Sequence, residues 1–403
     1  MSMLVNPFVL GASATGWYAL ANGSNTDISD TPGIQSGGSW TIPAAWNGRR
    51  VRVMAQSGGA TGAGAVYMAK GGSSFMGAGR VEYGDVSGAY DNYACWSAPI
   101  TVATGDVFTF TGRNTDTNLS WGQVELLKSG MNCALLKRST TTSIGTSLAA
   151  VDWDAEEYDD NGFHDNTTNN SRITIPSTGL YRFSANLHVN ASGGETLIEL
   201  RINGTRANYT CPRHDADSNY ISLISPPISL TAGDYVEIYA LTTAASTLQA
   251  DNYSWFAVEE LDSALQYAIA GRSSNGSGMS PSTNTLQPQN AEAADVGGWF
   301  STSNSFFTVP SGVTHARVGC QGQKGASGSG IWVMWLEKNG TGLIPGICSS
   351  GAENAGSDHP NGFSGILEVT SGNQFDFYAR TNAGAQSMST GSSYWIEECP
   401  DYT

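Results

Sequence analysis

The chain has 403 residues, with 35 acidic and 19 basic side chains, so its formal net charge is −16 at neutral pH. This charge argues against a nucleic-acid binder, which needs a basic surface to neutralise phosphates, and against attraction to an anionic membrane. Only 13% of residues are charged while 40% are hydrophobic, and glycine occurs 49 times. That composition favours a folded, loop-rich β-protein over a disordered chain.

Short strands are predicted along the whole chain. Residues 50–55, 107–110 and 235–239 alternate between apolar and polar side chains, which is the period of a half-buried strand. Residues 197–202 and 332–336 lead into Asn-Gly pairs, which are strong hairpin signals. No segment repeats its apolar residues at helical spacing or has the roughly 20 consecutive apolar residues of a membrane span. The sequence therefore predicts an all-β protein, in the form of a sandwich or jelly roll.

The strand signals belong to a threefold internal repeat. A phrase that ends a strand at a proline occurs at residues 40–43, 173–176 and 307–310, and its prolines lie 133 and then 134 residues apart. A turn phrase at 104–108, 232–236 and 371–375 follows the same period. A period of this length indicates one domain fold used three times. We divide the chain into copy one (1–129), copy two (130–262) and copy three (263–403).

Copy two resembles a known family. Residues 176–183 read Pro-x-x-Gly-x-Tyr-x-Phe, and residues 230–236 read Leu-x-x-Gly-Asp-x-Val. Both motifs are similar to those of the complement-type globular head and tumour-necrosis-factor superfamily. Copies one and three lack the Tyr-x-Phe pair, and copy three has Gly372-Asn373 in place of Gly-Asp. The resemblance implies a ten-stranded jelly roll that assembles into trimers.

The joins between the copies predict how the copies are arranged. The resemblance implies that both termini lie at one end of each jelly roll, so stacking the copies would need a linker of about 12 extended residues. The joins are shorter than that, and they contain no proline- or serine-rich linker. We therefore expect the copies to pack side by side as a pseudo-threefold ring within one chain. A homotrimer of three stacked tiers is the alternative.

Six cysteines are scattered without the close pairs of a zinc site. We interpret them as small buried apolar side chains. A disulfide between Cys320 and Cys348 is the alternative for that pair, because both lie in copy three.

An acidic loop in copy two is the best candidate for a metal site. Calcium prefers several oxygen ligands from one loop, and residues 152–159, here called the acidic loop, supply the candidate ligands Asp152, Asp154, Glu156 and Asp159. The spacing is not that of an EF-hand, and a solvated acidic loop is the simpler interpretation. No other metal and no cofactor is predicted.

Catalytic motifs are missing from the sequence. There is no Gly-x-Ser-x-Gly between a strand and a helix, and the five histidines include no His-Glu-x-x-His. We therefore predict no catalytic residue and no enzyme activity. Aromatic side chains in polar surroundings are candidates for stacking on a sugar or contacting a receptor; they are Trp153, Tyr209 and Tyr220.

The function expected from these features is that of a virion surface protein. Residues 4–10, Leu-Val-Asn-Pro-Phe-Val-Leu, resemble the start of small structural proteins of tailed bacteriophages. The first residues lack a secretory signal pattern, which suits a virion protein made in the host cytoplasm. We expect a tail fibre, spike or capsid decoration protein that contacts other virion proteins and a host-surface glycan or protein receptor. A bacterial carbohydrate-binding lectin and a tailspike polysaccharide depolymerase are the alternatives.

Overall fold

A computed structural model describes most of the chain. The described residues are 18–22, 27–31, 35–36, 38–59, 64–83, 92–113, 115–191, 196–207, 213–214, 219–274, 285–323, 332–340, 348–351, 361–381 and 387–400. Residues 4–10, whose sequence resembles phage proteins, lie outside them. Within the described ranges the regular structure is β-strand, with a single 3-10 turn at Ala44–Trp46 and no α-helix. Accordingly, this part of the chain contains no helix that is long and apolar enough to cross a membrane.

The strands divide among the three copies as follows. Copy one contains β1 (Tyr18–Asn22), β2 (Asp27–Thr31), β3 (Gln35–Ser36), β4 (Ser39–Thr41), β5 (Arg50–Gly59), β6 (Gly64–Lys70), β7 (Arg80–Tyr83), β8 (Asn92–Trp96), β9 (Ile100–Thr101), β10 (Val107–Arg113) and β11 (Thr115–Leu126). Copy two contains β12 (Cys133–Lys137), β13 (Thr142–Ile144), β14 (Ala149–Ala150), β15 (Ala155–Asp159), β16 (Arg172–Thr174), β17 (Gly179–Ala191), β18 (Thr196–Ile202), β19 (Thr205–Arg206), β20 (Arg213–His214), β21 (Tyr220–Ile224), β22 (Ile228–Leu230), β23 (Tyr235–Thr242), β24 (Ser246–Leu248) and β25 (Trp255–Leu261). Copy three contains β26 (Tyr267–Gly271), β27 (Thr285–Leu286), β28 (Ala291–Val296), β29 (Phe307–Thr308), β30 (His315–Gln321), β31 (Trp332–Lys338), β32 (Cys348–Gly351), β33 (Asn361–Phe363), β34 (Leu367–Glu368), β35 (Gln374–Thr381) and β36 (Ser393–Glu398).

The same antiparallel pairing occurs in all three stretches of chain. One sheet has the order β2-β1-β11-β5-β8 in copy one, β15-β12-β25-β17-β21 in copy two and β28-β26-β36-β30-β33 in copy three. In the second sheet, β10 pairs with β4 and β6, β23 pairs with β16 and β18, and β35 pairs with β29 and β31. The prediction of an all-β protein built from antiparallel jelly-roll sheets is confirmed. The boundaries chosen from the sequence fall between β11 and β12 and between β25 and β26.

The two repeated phrases of the sequence meet in space. In copy two, the Gly233 N–H donates to Ile175 O at 2.9 Å, and the Ile175 N–H donates to Asp234 O at 2.8 Å. Copy one makes the same two bonds between Ile42 and the turn at Gly105, and copy three makes them between Val309 and the turn at Gly372. Each glycine has a positive φ, which a residue with a Cβ rarely adopts. The period of the sequence therefore marks a strand end fixed onto a turn.

The change from Gly-Asp to Gly-Asn in copy three preserves this turn. Asp106 accepts from the Ala103 N–H at 2.8 Å and Asp234 accepts from the Thr231 N–H at 2.7 Å. Asn373 accepts from the Thr370 N–H at 2.9 Å in the same way. The turn needs one side-chain oxygen, which either a carboxylate or an amide supplies.

Hydrophobic cores fill each copy and continue between copies. One cluster lies entirely in copy two and another entirely in copy three. A third cluster joins the core of copy one to buried side chains of the other two copies, including Leu135, Trp255, Phe363 and Trp395. This continuous apolar packing brings the three copies together as one body around the site described next.

The seam between copies one and two also contains direct hydrogen bonds. β7 of copy one pairs with β21 of copy two, so that one sheet runs through both. The indole N–H of Trp96 donates to Leu223 O at 3.0 Å, and that of Trp255 donates to Ala78 O at 2.9 Å. Because the two tryptophans cross the seam in opposite directions, neither copy can shift along it without losing a buried hydrogen bond.

Candidate functional site

The most unusual site in the described structure is a ring of six buried charged side chains where the copies meet. Each copy contributes one arginine and one glutamate that lie directly opposite each other on neighbouring strands. The pairs are Arg52 on β5 with Glu125 on β11, Arg182 on β17 with Glu259 on β25, and Arg317 on β30 with Glu397 on β36. We call these six residues the charged ring.

Each arginine of the charged ring bridges two glutamates. Its Nη1 atom contacts the glutamate of its own copy, at 3.3 Å for Arg52, 3.0 Å for Arg182 and 3.1 Å for Arg317. Its Nη2 atom contacts the glutamate of another copy. Those second contacts run from copy one to copy two, from copy two to copy three and from copy three to copy one. The ring is therefore closed, electrically neutral and approximately threefold, which is the arrangement that the short joins predict.

Burial makes these ion pairs different from surface pairs. The six side chains are between 2% and 7% exposed. Burial alone would raise the pKa of Glu259, but the charges of Arg52 and Arg182 outweigh it, so that this pKa lies below its ordinary value. Burial would lower the pKa of Arg317, and Glu125 and Glu397 reverse that effect. Both shifts favour the charged form of the group concerned.

Apolar side chains and one aromatic ring surround the charged ring. A small cavity of about 30 Å³ adjoins it and is lined on its other side by Leu127, Met131, Leu261, Leu265 and Cys399. Phe363 presents its ring to Arg317, whose guanidinium carbon lies 4.9 Å from the ring centroid. Burial raises the pKa of the Cys399 thiol, which is therefore not a nucleophile at neutral pH. The charges of the site are balanced by mutual pairing.

Copy three departs from the threefold pattern beside the charged ring. Trp395 lies two residues before Glu397, a position that Gln123 and Ala257 occupy in the other copies. Its cross-strand neighbour is Gly319, where a Cβ would lie 2.0 Å from the Trp395 ring. Trp395 therefore does not correspond in register to Trp121 and Trp255, which lie four residues before their glutamates. The tryptophan fits because the facing residue has no side chain.

The carboxylates of the acidic loop are directed to different partners in the structure. Asp154 accepts from the Ser139 N–H at 2.6 Å, and Glu156 lies 2.8 Å from His164 Nδ1. Asp159 accepts from the N–H groups of Phe163 and His164, and Asp152 is exposed. Among the described residues, no group of three or more histidine, cysteine or carboxylate side chains has a metal-binding arrangement. The structure therefore does not bring the candidate ligands Asp152, Asp154, Glu156 and Asp159 together, because their carboxylates have separate hydrogen-bond partners.

The three predicted contact aromatics have different positions. Trp153 is 0% exposed and packs against Phe256 in the core of copy two, so it presents no ring face to a ligand and the prediction for it is wrong. Tyr220 is 7% exposed and is stacked between His188 and the guanidinium of Arg80. It therefore belongs to the seam between copies one and two. Tyr209 lies outside the described residues.

The cysteine prediction is confirmed for the cysteines that the structure describes in full. Cys95, Cys133, Cys320 and Cys399 are buried thiols that form no disulfide. The alternative of a Cys320–Cys348 bridge is therefore wrong.

Sequence reasoning missed the charged ring, although its signal is present. An arginine stands between apolar residues in each copy, at 51–53, 181–183 and 316–318, and a glutamate follows an apolar residue near the end of each copy. A charged side chain inside an apolar strand is rarely buried without a partner. Three such arginines and three such glutamates at matching places would have predicted mutual pairing.

Comparisons with known proteins address the fold only. No protein-family model matches the chain, and no curated protein matches it. Among solved structures, murine APRIL at pH 8.5 matches with a TM-score of 0.26 and 14% identity, over 32% of this chain and 99% of that one. The Eiger TNF from S. frugiperda matches with a TM-score of 0.27 and 14% identity, over 33% of this chain and 93% of that one. The chain is thus weakly similar to tumour-necrosis-factor-family jelly-roll domains over a third of its length.

Proposed function

We propose that this chain is a non-enzymatic surface protein of a tailed bacteriophage virion, a tail fibre, spike or capsid decoration protein that attaches to the host surface. The observation that carries the proposal is the charged ring, because it is a device for assembly rather than catalysis. Its arginines and glutamates neutralise one another across the three copies, and separating the copies would leave buried charges without a partner. Such a body is suited to presenting loops on a rigid support.

The completeness of the ring within one chain supports a monomeric body that imitates a trimer. All three arginines and all three glutamates come from the same polypeptide, so no second copy is needed to neutralise them. A single-chain body can carry different loops at each of its three sides. The acidic balance of the chain, −16 overall, favours solubility at a particle surface.

Two measurements test this function. Antibodies against the chain, coupled to gold, should label the outside of phage particles that encode it. Fluorescently labelled protein should bind in a saturable manner to cells of the host and not to cells of an unrelated bacterium. Absence of label from particles, together with glycan binding by the isolated protein, would favour the lectin. Release of sugar from host polysaccharide would favour the depolymerase.

A further inference from the structure

A cleft between copies one and two has the chemistry of an anion site. It has a volume of about 350 Å³ and is lined by three cations, Arg49, Arg50 and Lys128, by one carboxylate, Asp160, and by the turn at residues 128–132. The chain has only 19 basic side chains against 35 acidic ones. A concave surface with three cations and one carboxylate therefore differs in sign from the average surface of this protein.

Two of the three cations already have a carboxylate partner, and the third has none among the described residues. Arg50 pairs with Asp160 through both terminal nitrogens, and Lys128 lies 2.5 Å from Asp262. Arg49 donates one hydrogen bond, from Nη2 to the carbonyl oxygen of Leu127 at 3.2 Å. No carboxylate of the described residues lies within ion-pair distance of its guanidinium. Arg49 therefore keeps a planar set of donors available to a ligand.

The turn opposite Arg49 adds backbone donors. The N–H groups of Lys128, Ser129 and Gly130 donate to no acceptor within the described structure, and Ser129 and Gly130 are exposed. Gly130 has φ +76° with open space where a Cβ would lie, so the turn keeps its backbone accessible. Successive free N–H groups in a turn bind anions through their partial positive charges. Together with a free guanidinium they match the two oxygens of a carboxylate or phosphate.

Arg49 has no counterpart in copies two and three, so it is not part of the architecture that the copies share. By the register of the charged ring, Gly179 and Thr314 occupy the place of Arg49 in copies two and three. A cation that served only to hold the copies together would be expected at each seam, as the ring arginines are. Arg49 occurs at one seam alone.

A second cleft adjoins the first, and its lining includes aromatic and apolar side chains. It has a volume of about 330 Å³, shares Thr101 with the first cleft, and is lined by Phe75, Met76, Leu135 and Tyr158. The two charged residues at its edge are paired elsewhere, Lys70 with Asp106 and Glu157 with Lys137. A surface with partly buried aromatic and apolar side chains suits the apolar face of a sugar ring. The strongly acidic chain would repel a long polyanion, so a short acidic saccharide fits better than nucleic acid.

We propose that this double cleft binds an acidic saccharide, whose carboxylate pairs with Arg49 and the 128–131 turn while a neighbouring sugar ring lies against Phe75 and Tyr158. The saccharide part of this inference rests on the proposed function, since it names the class of host-surface molecule that the body would bind. The anion site itself rests on the cleft, the available guanidinium and the free backbone donors.

Calorimetric titration of the whole chain with trigalacturonic acid, with neutral maltotriose and with inorganic phosphate tests the proposal. We expect trigalacturonic acid to bind, and both maltotriose and phosphate to bind at least about tenfold more weakly. Arg49→Gln should weaken trigalacturonic acid binding by about tenfold or more, the usual effect of losing a charge-assisted hydrogen bond. Arg49→Lys should give an intermediate affinity, because it keeps the charge and loses the planar donors.

The matched control is Arg172→Gln, which removes the same charge from a partly exposed arginine that stacks on Tyr235 in copy two, outside both clefts. It should leave the affinity unchanged.

Equal binding of trigalacturonic acid and maltotriose, or unchanged binding by a folded Arg49→Gln, would overturn the anion site. Phosphate binding as tight as that of trigalacturonic acid would overturn the saccharide assignment. If the protein binds the saccharide but antibodies against it label no phage particle, the cleft proposal holds and the virion role is refuted. If Arg49→Gln leaves attachment to host cells unchanged, the virion role holds and the cleft proposal is refuted.

Discussion

Removing one arginine from the charged ring should destabilise the whole chain. Arg182→Met takes away the cation that lies between Glu259 and Glu397, and each of these buried carboxylates then keeps one partner instead of two. The ring changes from neutral to a net charge of −1 at a place where the side chains are at most 7% exposed. Breaking a buried pair by removing one partner costs about 3–5 kcal/mol. Urea unfolding at pH 7, followed by tryptophan fluorescence, should show a loss of that size.

Two further variants separate charge imbalance from lost packing. Lys137→Met removes a cation from a surface pair with Glu157, whose side chains are 28% and 45% exposed, and should cost at most about 1 kcal/mol. Arg182→Met combined with Glu259→Met leaves two arginines and two glutamates in alternating contact, so the buried charge is again zero. We expect this double variant to be more stable than the sum of the single effects predicts, by about 0.5–3 kcal/mol. A loss below about 1 kcal/mol for Arg182→Met alone would refute the argument that the ring is desolvated.

Four other outcomes follow from the structure. Gly319→Ala places a Cβ 2.0 Å from the Trp395 ring and should lower stability by about 1–3 kcal/mol, measured as a fall in Tm. The pKa of Glu259 is lowered in the folded chain, so the stability that its charge contributes is complete above the ordinary pKa of 4.5 and is lost as the pH falls below that value. Urea unfolding between pH 6 and pH 3 should show the free energy of unfolding falling with pH. This dependence on pH should be less steep in Arg182→Met. Millimolar calcium or EDTA should leave Tm unchanged, because the acidic loop gathers no ligand set; a calcium-dependent rise would contradict this. Light scattering combined with small-angle X-ray scattering should give a compact particle of 42.3 kDa, whereas an elongated particle of three times that mass would favour stacked homotrimers.

Local sequence patterns predicted the elements of the fold because each element depends on nearby residues. The Asn-Gly pair after 197–202 is the hairpin turn between β18 and β19, and Asn203 and Asn339 both adopt the positive φ that such turns require. The glycine turns follow the period because each is hydrogen-bonded to the end of a strand that lies about 60 residues earlier in the chain. The sequence patterns recur at the places where the backbone geometry recurs, so the period of the sequence was enough to locate these turns and strand ends.

The burial of individual side chains was harder to predict from the sequence than the strands and turns were. It depends on which parts of the folded chain pack against each other. Trp153 is surrounded by acidic residues in the chain and therefore resembles a loop residue, yet its ring lies in the core while its neighbours Asp152 and Asp154 face outward. Tyr220 is covered on one side by His188 of its own copy and on the other by Arg80 of copy one, which the sequence around Tyr220 does not reveal. The carboxylates of the acidic loop were interpreted as one group, although their side chains have separate partners, the Ser139 N–H for Asp154 and His164 for Glu156. Each error comes from treating neighbours in sequence as neighbours in space.

The charged ring also explains why three jelly rolls in one chain take one arrangement. Apolar surfaces are not directional, so a purely apolar junction would tolerate rotation or sliding of one copy against another. In the ring each arginine must face its own glutamate and that of one other copy, and a shifted copy would leave buried charges unpaired at a cost of several kcal/mol. One chain can meet this requirement without being symmetric elsewhere. Trp395 over Gly319 beside the ring, and Arg49 at a single seam, occur in one copy only, as a single polypeptide permits and a homotrimer does not.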